Sequence, residues 1–121
     1  MLKKRILVVD DHPDICASMK DILDDAGFDV NVALDPQEAL RQVAEQSFDL
    51  VLLDYQMPGM NGAALFKKIR QIRPDMQAIM ITAYAGQSGA QEILGHGARK
   101  VLSKPLDVQG LLNEMAFACP L

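Results

Sequence analysis

The chain has 121 residues, half of them hydrophobic, and a formal net charge of −4. That length suits one domain, residues 1–121, able to bury roughly two-thirds of its unfolded surface, and the acidic balance argues against direct nucleic-acid binding, because only the opening Met1-Leu2-Lys3-Lys4-Arg5 is locally basic. Cys16 and Cys119 form no C-x-x-C pair and follow no secretory signal, so free thiols in a reducing cytoplasm are expected, and no apolar run approaches the roughly 20 residues that span a bilayer.

Taken in order, strand-like and helix-like segments alternate. Ile6-Leu7-Val8-Val9 is a continuous apolar run, the pattern of a strand buried on both faces, and it ends in Asp10-Asp11. Residues 13–26 carry Ile15, Met19, Ile22 and Ala26 at helical spacing, with Gly27 as the stop. Phe28-Asp29-Val30-Asn31-Val32 alternates, which marks a strand with one less buried face at a sheet edge. Asp35 as N-cap, Pro36 at the first helical position and Glu38 three residues after the cap resemble a capping box, and Ala39, Leu40, Val43 and Ala44 supply a buried stripe.

Leu50-Val51-Leu52-Leu53 is a second continuous run and stops on Asp54. Met57-Pro58-Gly59 cannot prolong that strand, so Asp54 sits where a central strand emerges. Asn61-Gly62 opens a helix carrying Leu65, Ile69 and Ile72 that closes before Pro74. Ala78-Ile79-Met80-Ile81 is a fourth strand, ending at Thr82. Residues 85–94, with Gly86 and Gly89, read as a helix of low intrinsic stability. Arg99-Lys100-Val101-Leu102 leads to Ser103-Lys104-Pro105, and Val108, Leu111, Leu112 and Met115 make a last helix.

Five strands separated by helices predict an α/β fold: a doubly wound parallel sheet with right-handed crossovers and helices on both faces. Placing the alternating strand at an edge gives the flavodoxin-like order 2-1-3-4-5, whose winding reverses between strands one and three. Ligands bind at such a reversal, and Asp10, Asp11, Asp54, Thr82 and Lys104 would line it. Carboxylates packed together raise one another's pKa unless a cation joins them. Oxygen ligands alone suit Mg²⁺ better than Zn²⁺. A carboxylate held beside Mg²⁺, a lysine and a hydroxyl is equipped to attack a phosphoryl group and stabilise its charge.

Val9-Asp10-Asp11, the stretch from Leu53-Asp54-Tyr55-Gln56-Met57-Pro58-Gly59 to Met60-Asn61-Gly62, Ile81-Thr82-Ala83 and Ser103-Lys104-Pro105 resemble, in order, the signature blocks of receiver domains of bacterial two-component response regulators. The resemblance implies that Asp54 accepts the phosphoryl group. It implies Mg²⁺ binding by Asp11, Asp54 and the main-chain carbonyl of Gln56, with Asp10 acting through water. Thr82 and Lys104 would contact the phosphoryl oxygens, with main-chain N–H groups near Gln56 and Ala83. The donor would be a phosphohistidine on a sensor histidine kinase or a histidine phosphotransfer protein. A cis Lys104-Pro105 bond belongs to the same expectation, and self-catalysed phosphorylation and a dimer through the 86–117 face are expected as well. Dephosphorylation is expected to be slow because Gln56 and Tyr84, which would flank the attacking water, are neither acid nor base and the bulk of Tyr84 restricts its entry.

Receivers often carry an aromatic residue three positions before the lysine, and here that position is Val101. Valine lacks the reach of an aromatic rotor, so switching would involve Thr82, Pro105 and either Tyr84 or a face without a rotor around Val101. His12 reads as an ordinary residue at the pocket mouth. A rival class, phosphatases with an aspartyl nucleophile, places an acid two residues after the nucleophile; Gln56 cannot transfer protons there. A phosphorylation-independent interaction domain would be favoured only by a broken acidic pocket, and all three carboxylates are in place.

Overall fold

The computed structural model describes residues 3–83, 94–95, 97–104 and 106–118. Five strands, β1 (Arg5–Val9), β2 (Asp29–Ala33), β3 (Leu50–Asp54), β4 (Ala78–Thr82) and β5 (Lys100–Ser103), form one parallel sheet in the order β2-β1-β3-β4-β5. The described helices are α1 (Pro13–Asp25), α2 (Pro36–Glu45), α3 (Gly62–Ile72) and α4 (Val108–Ala118). The expected helix over 85–94 falls almost wholly outside the described residues, as do Tyr84, Pro105 and Cys119.

Strand alternation divides the core into two layers. Leu7, Val9, Val51, Leu53 and Met80 pack with Ala39 and Val43 of α2 and with Leu65, Phe66 and Ile69 of α3. Ile6, Val8, Leu50, Leu52 and Ile79 pack with Cys16, Met19 and Leu23 of α1 and with Leu111 and Met115 of α4. The continuous apolar runs are therefore the strands covered on both sides, and β2, whose burial alternates less cleanly, is an edge.

All four described helical faces differ from the expected stripes; in α4 Leu111 and Met115 are buried but Val108 is 41% exposed. In α1 the sheet-facing residues are Cys16, Met19 and Leu23, while Ile15 is 39% exposed. The apolar face is wide enough for two overlapping stripes, and Ile15 and Ile22 line a crevice instead. In α2 Gln42 takes a buried place and Ala44 is exposed. Burial of Gln42 is satisfied by hydrogen bonding: Nε2 donates to the Val32 carbonyl at 2.8 Å, and Asn31 Nδ2 donates to Oε1 at 3.0 Å, tying edge strand to helix. In α3 Phe66 is fully buried and Ile72 is 41% exposed.

Asp35 caps α2, its Oδ1 accepting the Glu38 N–H at 2.8 Å, and Asn61 caps α3 by accepting the Ala64 N–H at 2.8 Å. The Glu38 carboxylate pairs with Arg41 instead of returning to the cap. Each cap satisfies one otherwise orphaned donor, so Asp35→Ala and Asn61→Ala are each expected to cost about 1 kcal/mol in urea denaturation.

Candidate functional site: an acidic rim at the strand ends

The sheet register brings distant residues to one edge. Val9 pairs with Leu53 and Asp54 with Ile81, so Asp10, one step past β1, stands beside the end of β3. Thr82 pairs with Ser103, which puts Lys104 on the same rim, and the Lys104 N–H donates to the Thr82 carbonyl at 2.9 Å. Alternation decides which side chains converge. Asp10 continues the series Ile6 and Val8, Asp54 continues Leu50 and Leu52, and Lys104 follows Leu102, all of the layer that faces α1 and α4.

Asp54 is only 2% exposed. Its Oδ1 accepts the Gln56 N–H at 3.2 Å and lies 3.3 Å from Lys104 Nζ. Its Oδ2 is buried and has no hydrogen-bond partner among the described residues, and the same holds for Asp11 Oδ1. Burial, then the charge of Asp10, push the Asp54 carboxyl above the ordinary carboxylate range; the Gln56 N–H and Lys104 oppose that shift without cancelling it. A carboxylate so placed is costly to ionise.

The loop after β1 folds back on itself. The His12 N–H donates to Asp10 Oδ1 at 2.9 Å, a turn in which an aspartate side chain caps the backbone two residues on. This brings the His12 ring onto the rim, with Nδ1 2.8 Å from Asp10 Oδ1 and 3.2 Å from Asp11 Oδ1. The hydrogen bond to Asp10 and the charge of Asp11 raise the imidazole pKa. One donor atom from each of Asp10, Asp11, His12 and Asp54 falls within 4.8 Å of the others. Behind Asp10 lies Cys16, whose Sγ donates to the Asp10 carbonyl at 3.3 Å. Burial and the charge of Asp10 push this thiol up to about 11, leaving it protonated and unreactive.

Of the residues singled out in the sequence, Asp10, Asp11, Asp54 and Lys104 are brought together. Thr82 is fully buried at the end of β4, in register with that rim. Gln56 is exposed, with its N–H on Asp54. Val101 is half-buried against the layer of α2 and α3. His12 belongs to the cluster although it reads as a bystander in sequence; an aspartate two residues before it, able to cap its N–H, is the local signal. Beside the rim a crevice of about 380 Å³ opens between Ile15, Met19 and Ile22 of α1 and Leu106 and Val108. Among the described residues no helix is long and apolar enough to cross a membrane.

The model of the response regulator receiver domain family matches residues 6–116. The chain belongs to that family. The receiver is 42% identical over 106 residues to the transcriptional regulatory protein ZraR of Escherichia coli, an alignment covering 88% of the receiver and 24% of ZraR. It is 31% identical over 121 residues to the sporulation initiation phosphotransferase F of Bacillus subtilis, covering 100% of the receiver and 98% of that protein. The receiver thus spans about a quarter of the one relative and nearly all of the other. Among solved structures it superposes on a CheY-like receiver domain protein from Methanospirillum hungatei with a TM-score of 0.88 at 35% identity, covering 96% of the receiver and 93% of that chain. It superposes equally on the response regulator protein TrrA from Thermotoga maritima, solved in complex with Mg(2+)-BeF, with a TM-score of 0.85 at 31% identity over 95% and 98% of the two chains.

Receiver domains are signalling modules of two-component phosphorelays, and the order of this sheet and the acidic rim at its strand ends match that class. The donor set also fits the divalent ion such domains bind. Three carboxylates around buried oxygens without hydrogen-bond partners present hard ligands and an unbalanced negative charge.

Proposed function

We propose that the receiver accepts a phosphoryl group on Asp54 from a phosphohistidine of a sensor kinase or histidine phosphotransfer protein, in a Mg²⁺-dependent reaction. The observation that carries this reading is the state of the Asp54 carboxylate: Oδ1 is held by the Gln56 N–H and Lys104, while Oδ2 is buried without a hydrogen bond among the described residues. The structural part of the carboxylate is thus occupied and the other oxygen is kept for chemistry.

In the reaction an Asp54 oxygen attacks phosphorus, an O–P bond forms and the P–N bond to the donor imidazole breaks. The imidazole nitrogen keeps the electron pair and takes up a proton. Asp11, Asp54 and the Gln56 carbonyl would hold Mg²⁺, with Asp10 in support; the ion supplies charge neutralisation for the phosphoryl oxygens. Lys104 exchanges its contact with Asp54 for one with the phosphoryl group, as a compact ammonium on a flexible stem can. Thr82 moves toward the same group and shifts the segment beyond β4. Tyr84 and Pro105, the other switch residues of this reading, lie outside the described residues, as does much of the 86–117 face through which a dimer would form. Val101, half-buried against the layer of α2 and α3, would replace the aromatic rotor with a smaller packing change. The receiver would operate in the cytoplasm, where the donor is found.

Incubation with acetyl phosphate and Mg²⁺, followed by intact mass measurement, tests the proposal. The wild type is expected to gain one phosphoryl group, and to gain none in EDTA. The Asp54→Asn variant is expected to stay unmodified. Labelling of that variant at the wild-type level would overturn the assignment.

A further inference from the structure

His12 has no part in the phosphoryl chemistry above, yet its ring stands within the rim. Adjacent ligands of an ion with bonds of about 2.0–2.2 Å lie about 3 Å apart in an octahedron and about 3.4 Å apart in a tetrahedron. His12 Nδ1 is 2.8 Å from Asp10 Oδ1 and 3.2 Å from Asp11 Oδ1, so the imidazole nitrogen stands from each carboxylate oxygen at the spacing of a neighbouring ligand. A further observation points to a cation: Asp54, 2% exposed, buries its Oδ2 with no hydrogen-bond partner among the described residues. The His12 loop is also held in place, because its N–H is bound to Asp10 at 2.9 Å.

An imidazole changes which ions such a site favours. Carboxylate oxygens alone suit Mg²⁺, which gains little from a nitrogen ligand. Zn²⁺, Ni²⁺ and Co²⁺ are bound more tightly where imidazole joins the set. We propose that His12 Nδ1, with the carboxylates of Asp10, Asp11 and Asp54, forms a site for a Zn²⁺-like transition-metal dication that overlaps the Mg²⁺ position. Such an ion competes with Mg²⁺ for the Asp11 and Asp54 oxygens. The ion takes the place of the Nδ1 proton, which passes to solvent. This inference rests on the Mg²⁺ reading of the pocket for the competition, and on the rim geometry alone for the binding.

Calorimetric titration with Zn²⁺ alone and with Mg²⁺ alone, on the full chain, tests it. The variants are His12→Ala and His12→Gln; the His12 side chain is 59% exposed, so neither removes core packing. Zn²⁺ affinity is expected to fall by about tenfold or more in both variants, with Mg²⁺ affinity within about twofold of wild type. In nitrogen-detected NMR spectra the His12 Nδ1 resonance is expected to shift on Zn²⁺ addition and not on Mg²⁺ addition. Sites built from His96 or the cysteines would be indifferent to His12. Zn²⁺ affinity unchanged in both variants, or an equal loss of Zn²⁺ and Mg²⁺ affinity, would overturn the proposal. Failure of the wild type to bind Mg²⁺ would instead count against the phosphoryl-acceptor reading, and leave the Zn²⁺ comparison to decide this one.

Discussion

Replacing Gly62 by alanine is expected to destabilise the receiver by about 2–4 kcal/mol, a large share of the roughly 5–15 kcal/mol that holds a domain together. Gly62 is the first residue of α3, and its N–H donates to the Tyr55 carbonyl at 2.7 Å. A Cβ there would stand 2.8 Å from the Asp54 carbonyl oxygen and 2.9 Å from Tyr55 Cα. Both are backbone at the end of a fully buried strand, so neither can rotate aside. Alanine's better helix propensity returns at most about 1 kcal/mol. The clash wins, and a fall in Tm of about 8–15 °C is expected. Because the obstacle is the backbone of Asp54 itself, the loop that carries the Gln56 N–H should be displaced as well. An unchanged Tm would mean that α3 can lift off the strand end at little cost.

The second large effect has the opposite sign. Asp54→Asn is expected to stabilise the metal-free receiver by about 1–2 kcal/mol, because it removes a buried negative charge that faces Asp10. Lys104, only partly buried, can turn its ammonium to solvent when its partner goes. The sign of the pH dependence follows. Asp54 has a raised pKa in the fold, so its ionised form is disfavoured there relative to the unfolded chain. Protonation therefore favours the fold: wild type recovers stability as pH falls through that raised value toward the ordinary carboxylate range, and loses it again as pH rises. The advantage of the variant should be largest near neutral pH and shrink on acidification. Added Mg²⁺ should raise the wild-type Tm by mass action and leave the variant nearly unmoved. A variant less stable than wild type at pH 7 without metal would show that Lys104 and the Gln56 N–H more than offset the desolvation of Asp54.

The site carries this cost for a reason visible in the strands. The runs ending at Asp10 and Asp54 are buried on both faces, so each chain emerges at a fixed height and delivers its carboxylate to the same rim. That much is legible in the sequence, since an unbroken apolar run ending in an acid has few other readings. The alternation of residues 28–32 likewise marks the edge, and from edge and interior the strand order follows. Side-chain facing within helices is harder to read. In α1 a broad apolar surface supports two registers, and only contact with β1 and β3 selects Cys16, Met19 and Leu23 over Ile15. Gln42 is buried because Asn31 and the Val32 carbonyl, on a strand eleven and ten residues away, complete its hydrogen bonds. No local pattern records that pairing. His12 joins the acidic cluster through a turn whose geometry depends on the Asp10 side chain, which a motif of residue types does not specify.

Chemical mapping of the modified residue tests the central claim most directly. An acyl phosphate is reduced by borohydride to an alcohol, so phosphorylation of an aspartate leaves homoserine after reduction and digestion. After treatment with acetyl phosphate and Mg²⁺, homoserine is expected at position 54 and at no other aspartate, including Asp10 and Asp11. Homoserine at Asp10 or Asp11, or a phosphoryl group that survives borohydride unreduced, would contradict the assignment of Asp54 as the phosphoryl acceptor.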